Sequence, residues 1–547
     1  MKSLSASLVS LSKFKDLKKH CGISRITALA AFLVCLLSSP LAPALQRDGI
    51  DDAAISELAG RAMSEFAVPG MAIGIVKDGQ VVFAKGFGLR EVGKKARIDT
   101  DTLFKIASNS KAFTAAALAT LVDEGKIAWD GLVIDYIPEF RMHDPWVTAG
   151  FTVTDLLTHR SGLAPFKGDM LLWPEPNSFT QADVIHALRY FEPVSGFRSR
   201  YAYDNLLYIV AGEIIPRVSG KSWGEYLESN IMRPAGMKRC FADRIPRKAM
   251  RNIATPHGVI EGRLAVIERG RIPRQPPMSA AAGGVICSLG DMLTWVRTQL
   301  NNGTTPNEVE LYSARQSREM WKPRTLRGVS ERAYELNRTH FSAYGLGWRL
   351  ADVHGFLEVS HTGTLAGMRS YVVLIPELEL GVVYLSNGAS SAARRAVMNS
   401  IVRSFMPVEQ VDWVQMEIDE IALEREDEIQ RQALEKSAEP EQPCTPCRMP
   451  DLSLLAGRFR DPWFGDVIIR LEDGRLMFAA EKSPKLLGPL THYEGRQFII
   501  RWIDRSLEAD AYIQFETNED GEVSGITMSK LDRGDYDFED LDFERVQ

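Results

Sequence analysis

The first hundred residues combine a helical apolar pattern with two strand-like runs. Over residues 51–66 apolar side chains recur every three or four positions, which predicts an amphipathic helix. Two β-rich runs, 70–76 and 81–86, then flank the dipeptide Asp78-Gly79. An Asp-Gly pair between two such runs is a strong signal for a tight hairpin. The chain is therefore expected to begin its fold with a helix and a β-hairpin.

The pattern changes to helices with loops between about residues 122 and 302. Hydroxyl residues stand three positions before an acid, as in helix-starting capping boxes, at Thr180/Asp183, Ser222/Glu225 and Ser288/Asp291. Strand-like runs return at 345–350, 356–360, 370–375 and 380–385, and a helix is predicted over 392–405. We therefore expect one antiparallel sheet that begins before a helical subdomain and is completed after it.

Charged residues dominate from 408 to about 437, with apolar residues at helical spacing, which predicts a solvated linker helix ended by Pro440 and Pro443. Beyond residue 452 come short alternating strands. Their turn dipeptides are Asp473-Gly474, Glu494-Gly495 and Asp520-Gly521. An all-β barrel or sandwich is the simplest interpretation of this region.

The first 44 residues have the pattern of a signal peptide. Basic residues precede an uncharged apolar run from 26 to 37, and Ala42-Pro43-Ala44 supplies small residues for cleavage. We expect an exported protein, periplasmic or secreted. The alternative is an uncleaved segment that anchors the chain in the membrane.

Composition narrows the classes of partner. The 547 residues have a formal net charge of −6, so no overall basic field favours nucleic acid. Outside the predicted signal peptide the cysteines are Cys240, Cys287, Cys444 and Cys447. Cys444 and Cys447 form one CxxC without a second, which argues against zinc and leaves a local disulfide or two free thiols open. The sequence predicts no metal and no cofactor, and leaves the oligomeric state open.

Ser108 and Lys111 are the first candidates for chemistry. They lie three residues apart at the start of an apolar helix, where positions i and i+3 share a face, so the Lys111 amine can reach the Ser108 oxygen. A serine with a neighbouring base is the arrangement of an activated nucleophile. The same spacing also occurs at Ser10/Lys13 and Ser12/Lys15, so the pair needs partners elsewhere in the chain.

Two further segments supply such partners. Tyr203 and Asn205 flank one residue and can direct a phenol and an amide into the same cleft. The run His361, Thr362, Gly363 and Thr364 follows a predicted strand. Its side chains can hold a substrate carboxylate or carbonyl, and its backbone amides can complete an oxyanion hole. Taken singly, the first segment also fits a packed tyrosine beside a capping asparagine, and the second fits a turn.

In chain order these segments resemble the SxxK, YxN and [KH]TG motifs of the serine β-lactamase and penicillin-binding protein superfamily. The resemblance is closest to the branch of class C β-lactamases, DD-carboxypeptidases, D-aminopeptidases and related esterases, and covers about residues 51–406. It implies an α/β (α+β) fold in which helices and a helical subdomain flank an antiparallel sheet. The trailing region resembles the small β-barrel of many bacterial relatives. The expected segments are a signal peptide (1–44), a serine hydrolase domain (45–406), a charged helical linker (407–450) and a barrel (451–547).

The resemblance also implies a role for each motif residue. Ser108 would be the acylated nucleophile, Lys111 its base, and Tyr203 the proton relay to the leaving group. Asn205 would bind the substrate amide, and His361 and Thr362 would contact a carboxylate or assist the relay. The amides of Ser108 and Thr364, beside Gly363, would form the oxyanion hole. His159, also in a family-like motif, is structural in the family and is not included.

The implied function is an exported serine hydrolase that acts through an acyl-enzyme on a D-amino-acid peptide, amide, lactam or ester. The base requires a Lys111 pKa below its usual value or a proton shared with Tyr203, because an ordinary lysine is charged at neutral pH. Many β-lactamases have lysine where this chain has His361, which favours a peptidase or esterase over a β-lactamase. A non-catalytic binding protein that keeps the fold is the competing hypothesis.

Overall fold

The computed structural model describes residues 49–438, 449–531 and 536–546. The predicted signal peptide, Cys444 and Cys447 lie outside these residues. The α-helices of the described residues are Asp52–Glu65, Ser110–Asp123, Val133–Tyr136, Pro145–Gly150, Val153–Leu157, Gln181–Ala187, Leu206–Ser219, Trp223–Leu227, Ala280–Gly283, Leu289–Leu300, Ala314–Met320, Glu331–Asn337, Ser391–Ser404, Trp413–Ala438 and Leu452–Leu455.

An eight-stranded antiparallel sheet forms the frame of the hydrolase-like part. Its strands, in spatial order, are Gln80–Gly88, Gly70–Lys77, Leu380–Ser386, Met368–Ile375, Phe356–Leu365, Arg349–Val353, Ser342–Tyr344 and Thr325–Leu326. The first hairpin lies beside strands that come some 300 residues later, as the register of Met71 with Ser386 shows. A sheet begun before the helical subdomain and completed after it is thus confirmed.

The predicted hairpin turn has the expected backbone, since Asp78 and Gly79 both have positive φ, of 52° and 72°. The strand predicted over 345–350 is wrong for 345–348, where the chain turns sharply between two short strands, and right for 349 and 350, which begin the strand Arg349–Val353. Gly347 has φ +80°, and a Cβ at that position would lie 2.9 Å from the backbone oxygen of Lys111. Glycine at this point lets the turn pack against the helix that carries Lys111.

Helices cover both faces of the sheet. Asp52–Glu65 and Ser391–Ser404 pack on one face. In the first helix the recurring apolar residues Ile55 and Ala62 are buried there, and Leu58 is partly buried. The other face meets the helical subdomain, and its central element is Ser110–Asp123. In that helix every residue from Ser110 to Leu121 is buried, because small and apolar side chains surround the whole axis.

A small three-stranded sheet holds the chain that leads into Ser110–Asp123. Phe104–Lys105 pairs with Ile286–Cys287, which also pairs with Cys240–Phe241. Cys240 and Cys287 are opposite each other in this pairing and form a disulfide with a Cα–Cα distance of 4.1 Å. The entry to the nucleophile helix is therefore fixed both by backbone hydrogen bonds and by a covalent bond next to it.

The C-terminal region forms a closed antiparallel barrel of eight strands. These are Gly457–Asp461, Gly465–Glu472, Arg475–Ala480, Leu487–Glu494, Gln497–Ile500, Ala511–Thr517, Val523–Lys530 and Asp542–Arg545. Of the two predicted architectures, barrel and sandwich, the barrel is therefore confirmed. The charged segment before it forms the long helix Trp413–Ala438.

The barrel packs directly on the hydrolase-like part. Phe464 of the barrel packs at a tilt against Phe179, with ring centroids 5.4 Å apart, and Trp463 packs edge-to-face against Phe191, with centroids 5.0 Å apart. All four rings are buried and belong to one continuous apolar core. This interface lies on residues 166–191, and the first part of that segment borders the candidate site.

Candidate active site

Ser108 lies on a strained turn at the N-terminal end of the buried helix. The turn is the short 3₁₀ helix Ala107–Asn109, and Ala107 has φ +50°, a conformation that a residue with a Cβ seldom adopts. Asn109 Nδ2 donates to Ser370 Oγ at 2.8 Å, and this hydroxyl donates to the backbone oxygen of Ile106 at 2.6 Å. The turn is thus held against the sheet while Ser108 stays partly exposed.

Lys111 is fully buried one turn further along and contacts the nucleophile. Its Nζ lies 3.3 Å from Ser108 Oγ, 2.7 Å from Asn205 Oδ1 and 2.9 Å from the backbone oxygen of Ala282. Burial lowers the pKa of Lys111 to about 7, against the opposing effect of the carboxyls of Asp169 and Asp204. A neutral amine is therefore available near physiological pH.

Tyr203 completes the group around Ser108. Its phenol lies close enough to the Ser108 hydroxyl for that group to act on its pKa, and Lys111 Nζ lies 4.9 Å from the centre of its ring. Burial raises the pKa of Tyr203 to about 12, so the phenol keeps its proton at neutral pH. Of the two routes that the sequence left open for the base, the lowered lysine pKa is therefore the one that this geometry favours.

His159 holds the segment that carries Tyr203. Its Nδ1 accepts a hydrogen bond from the backbone N–H of Asp204 at 3.0 Å, and its ring stacks on Tyr203 with centroids 4.2 Å apart. Burial pushes the pKa of His159 well below its usual value, so the imidazole is neutral. Its position behind Tyr203 is consistent with a structural role, that of supporting the segment that carries Tyr203.

The strand Phe356–Leu365 brings the third motif beside the nucleophile turn. Up to Ser360 this strand pairs with Arg349–Val353, and beyond that point Gly363 packs against Ile106 and Ala107. A Cβ on Gly363 would lie 2.3 Å from the Ile106 backbone oxygen and 2.1 Å from Ser370 Oγ. Only glycine fits there, and the close approach lets the strand pack directly against the turn that carries Ser108.

His361 is buried within this strand and uses both of its ring nitrogens. Nδ1 lies 2.7 Å from the backbone oxygen of Thr362, so it donates, and Nε2, 2.9 Å from Tyr344 Oη, accepts the phenol hydrogen. Burial, followed by the positive charge of Arg349, lowers the pKa of His361 well below its usual value. The imidazole is therefore a neutral part of the wall and brings no positive charge to the cleft.

Arg349 provides the positive charge that His361 lacks. Its NH1 donates to Thr362 Oγ1 at 2.8 Å, and Arg327 lies close enough for the charge of Arg349 to lower its pKa. Within the described residues neither guanidinium forms an ion pair with a carboxylate. The arrangement can bind an anionic group beside Thr362.

Four charged residues of this site were missed from the sequence: Asp169, Asp204, Arg327 and Arg349. Asp169 accepts a hydrogen bond from Asn205 Nδ2 at 2.8 Å. The only sequence signal for it is an acid at the head of an otherwise apolar run, Met170 to Trp173. Of the predicted motif residues, Lys111 contacts Ser108, Asn205 and the Tyr203 ring, and Gly363 packs against the turn before Ser108.

Sites for other chemistry are not apparent in the part of the chain that the structure describes. No cluster of three histidine, cysteine, aspartate or glutamate side chains is placed to hold a metal ion there. Among the same residues, no helix has both the length and the apolar character needed to cross a membrane.

The sheet, the helical subdomain and the Ser108–Lys111–Tyr203 group define a penicillin-binding type of fold with a serine–lysine centre. The profile described as Beta-lactamase matches residues 55–405, and a domain of unknown function, DUF3471, matches 448–545. The chain belongs to the β-lactamase family.

Three similar proteins illustrate the breadth of that family. "Unguisins hydrolase ungD'" of Aspergillus campestris is 26% identical over 87% of this chain and 89% of its own length. "Protein flp" of Staphylococcus aureus is 26% identical over 58% of this chain and 60% of its own length. The octameric penicillin-binding protein homologue from Pyrococcus abyssi aligns with a TM-score of 0.56 over 90% of this chain and 100% of that one, at 21% identity. The last shows the fold alone.

Proposed function

We propose that this protein is a serine hydrolase that forms an acyl-enzyme at Ser108 and cleaves an amide, lactam or ester bond. The observation that carries the proposal is the buried Lys111 amine, 3.3 Å from Ser108 Oγ and with a pKa of about 7. An amine that is neutral near physiological pH and lies beside a partly exposed hydroxyl is a competent general base.

Acylation follows from these contacts. Ser108 Oγ attacks the substrate carbonyl carbon while Lys111 Nζ takes the hydroxyl proton. The carbonyl oxygen gains negative charge, and the amides of Ser108 and Thr364 are the donors we assign to it. When the bond to the leaving group breaks, the Tyr203 phenol gives that group a proton and recovers one from the Lys111 ammonium. Water then takes the place of the leaving group and attacks the carbonyl carbon of the acyl-enzyme ester. Its proton passes through Tyr203 to Lys111, and Lys111 returns a proton to Ser108 Oγ as the ester bond breaks.

The positive charge of Arg349 beside Thr362 narrows the substrate class. Arg349 and Thr362 form one hydrogen-bonded unit in which the guanidinium has no carboxylate partner among the described residues. We propose that they bind a carboxylate of the substrate, as a D-amino-acid peptide or an intact penicillin would offer. Asn205 would meet the amide on the acyl side, with the Nδ2 hydrogen that Asp169 does not use. The relative named for hydrolysis of unguisins supports a hydrolase rather than a binding protein.

A labelling experiment separates hydrolase from non-catalytic binder. The full chain would be incubated with a fluorescent penicillin and with a fluorophosphonate, and the adduct located by intact mass and by comparison with Ser108→Ala. Covalent labelling that Ser108→Ala abolishes supports the proposal, whereas labelling by neither reagent favours the binder. Chromogenic esters, a cephalosporin and D-Ala-D-Ala peptides, compared by kcat/KM, would then rank the substrates.

We also propose that the protein is exported, to the periplasm or beyond. The apolar run at 26–37 with its basic flank and the disulfide between Cys240 and Cys287 support this, because structural disulfides persist in oxidising compartments. Sequencing the N-terminus of the protein recovered from fractionated cells tests it. A mature chain that begins near residue 45 supports export, and an intact N-terminus in the membrane fraction supports an anchor.

A further inference from the structure

Asp169 lies behind the catalytic pair and contacts it only through Asn205. It begins the short 3₁₀ helix Asp169–Leu171, and its Oδ2 accepts the hydrogen bond from Asn205 Nδ2 at 2.8 Å. Its Oδ1 is buried and has no hydrogen-bond partner among the described residues. A buried carboxyl with a single partner is costly, so its retention calls for a reason beyond packing.

The contact decides which end of the Asn205 amide faces Lys111. With Nδ2 turned to Asp169, the amide oxygen Oδ1 points to Lys111 Nζ, 2.7 Å away. A flipped amide would place its oxygen against the Asp169 carboxyl oxygen and its hydrogens against those of the amine. Burial raises the pKa of the Asp169 carboxyl well above its usual value, and Oδ1, which has no partner among the described residues, is where a bound proton would sit. Oδ2 then accepts a hydrogen bond in either charge state, so it permits the first orientation and opposes the second.

The orientation of that amide determines where the Lys111 lone pair points. A neutral amine has two hydrogens and one lone pair. Asn205 Oδ1 and the backbone oxygen of Ala282 accept the two hydrogens, which leaves the lone pair for the third neighbour, Ser108 Oγ at 3.3 Å. A flipped Asn205 would offer a hydrogen to the lone pair and turn it away from the hydroxyl that it must deprotonate.

Asp169 is itself held from two sides. In the same loop, the backbone N–H of Phe166 donates to the backbone oxygen of Tyr203 at 2.7 Å, and the ring centroids of Phe166 and Tyr203 are 5.5 Å apart. Lys167 forms an ion pair with Asp540 of the barrel at 2.5 Å, with both side chains mostly buried. The loop therefore cannot shift without disturbing either the active site or the barrel interface.

We propose that Asp169 is a positioning residue, whose carboxyl orients the Asn205 amide so that neutral Lys111 keeps its lone pair directed at Ser108. This role rests on the proposed function of Ser108 as a nucleophile. Asp169 would act through Asn205 and would not contact the reacting atoms.

The test measures how fast Ser108 reacts with a fluorophosphonate in the full-length protein. The dependence of the labelling rate on reagent concentration gives a maximal rate and a half-saturating concentration. For Asp169→Ala we expect a maximal rate at least about tenfold lower at an unchanged half-saturating concentration. Asp169→Asn, which still offers an oxygen to Asn205 Nδ2, should recover to within about threefold of wild type. In an Asn205→Ala background, Asp169→Ala should cause no further loss.

Each result bears on the proposal. A wild-type maximal labelling rate in Asp169→Ala overturns it. So does an Asp169→Ala substitution that lowers the maximal rate by the same factor in wild type and in the Asn205→Ala background. Loss in Asp169→Asn as large as in Asp169→Ala also overturns it. Melting temperatures establish that each variant is folded, and Asp169→Leu replaces Asp169→Ala if the latter unfolds. Failure of wild type itself to react would instead refute the proposed function, and the role of Asp169 with it.

Discussion

The Nζ of Lys111 lies 3.3 Å from the Oγ of Ser108, and no part of the lysine side chain is exposed to solvent. Burial alone would make an ammonium costly here, and the carboxyls of Asp169 and Asp204 only partly offset that cost. Ser108 is therefore in contact with a base whose pKa lies near neutral pH. Several measurable consequences arise from this balance.

Activity should rise as the pH passes through about 7, the lowered pKa of Lys111. Below that value the amine is protonated and cannot accept the Ser108 proton, so kcat/KM should fall about tenfold for each further pH unit. Above it the neutral amine predominates and the rate levels off. A pH profile of ester hydrolysis checks this. A flat profile across this range, or a Lys111→Ala variant with near wild-type turnover, would contradict a base role for Lys111.

The free energy of unfolding should also depend on the protonation of Lys111. Its pKa falls from 10.5 in the unfolded chain to about 7 in the fold, so between these values the unfolded chain binds more protons. The free energy of unfolding therefore gains from this group as pH rises from 7 to 10.5, and below 7 the full penalty of burying a charge applies. Lys111→Met should abolish activity while raising the melting temperature at pH 6 to 7. A lower melting temperature would show that the ammonium contributes to folding.

Gly363 should tolerate no side chain. A Cβ there would approach a backbone oxygen, that of Ile106, to 2.3 Å, which only a shift of strand or turn can relieve. We expect Gly363→Ala to cost about 1–3 kcal/mol of unfolding free energy and to slow labelling of Ser108. Gly60, inside the helix Asp52–Glu65 with no atom near its absent Cβ, is the matched control. Gly60→Ala should stabilise by about 0.5–1 kcal/mol. Equal effects at both positions would refute the close-approach argument.

How much of the site could be predicted depended on whether the signal was local. Ser108 and Lys111 share one helix turn, so spacing alone brought them together. Arg349 was out of reach, because it meets Thr362 only through the register in which Arg349 pairs with Ser360 of the next strand. Neither composition nor periodicity determines such a register. Asp169 is likewise placed by a loop that packs between the active site and the barrel.

Arg349 should govern preference for anionic substrates. A guanidinium without a carboxylate partner can form charge-assisted hydrogen bonds worth about 1.5–3 kcal/mol with a substrate carboxylate. For two otherwise identical ester or peptide substrates, one with a free carboxylate and one with a neutral amide, Arg349→Ala should lower kcat/KM for the first about 10- to 100-fold. It should leave the second nearly unchanged. Arg327, whose guanidinium donates to Ser342 Oγ rather than being the donor to Thr362, provides the control: Arg327→Ala should have a smaller effect. An equal loss of kcat/KM on both substrates would show that Arg349 maintains the structure of the site rather than binding the substrate carboxylate.

The barrel and the hydrolase-like part should unfold as one unit. Phe464 is 1% exposed and packs against Phe179, within a core that runs through both parts. Phe464→Ala should therefore cost about 3–5 kcal/mol and lower a single melting transition. At the same interface Lys482 forms a 2.7 Å ion pair with Asp183, but both side chains are substantially exposed. Lys482→Ala should cost no more than about 1 kcal/mol.

Independent parts would behave differently. They would show two transitions by calorimetry, and Phe464→Ala would shift only the one that belongs to the barrel. The shared core argues for the single transition, because a cavity at Phe464 also removes contacts from Phe179 on the hydrolase-like side. Following the melting transition together with Ser108 labelling as temperature rises distinguishes the cases: in the coupled protein both are lost at the same lowered temperature. Labelling that survives the loss of barrel structure would show that the active site folds without its C-terminal neighbour.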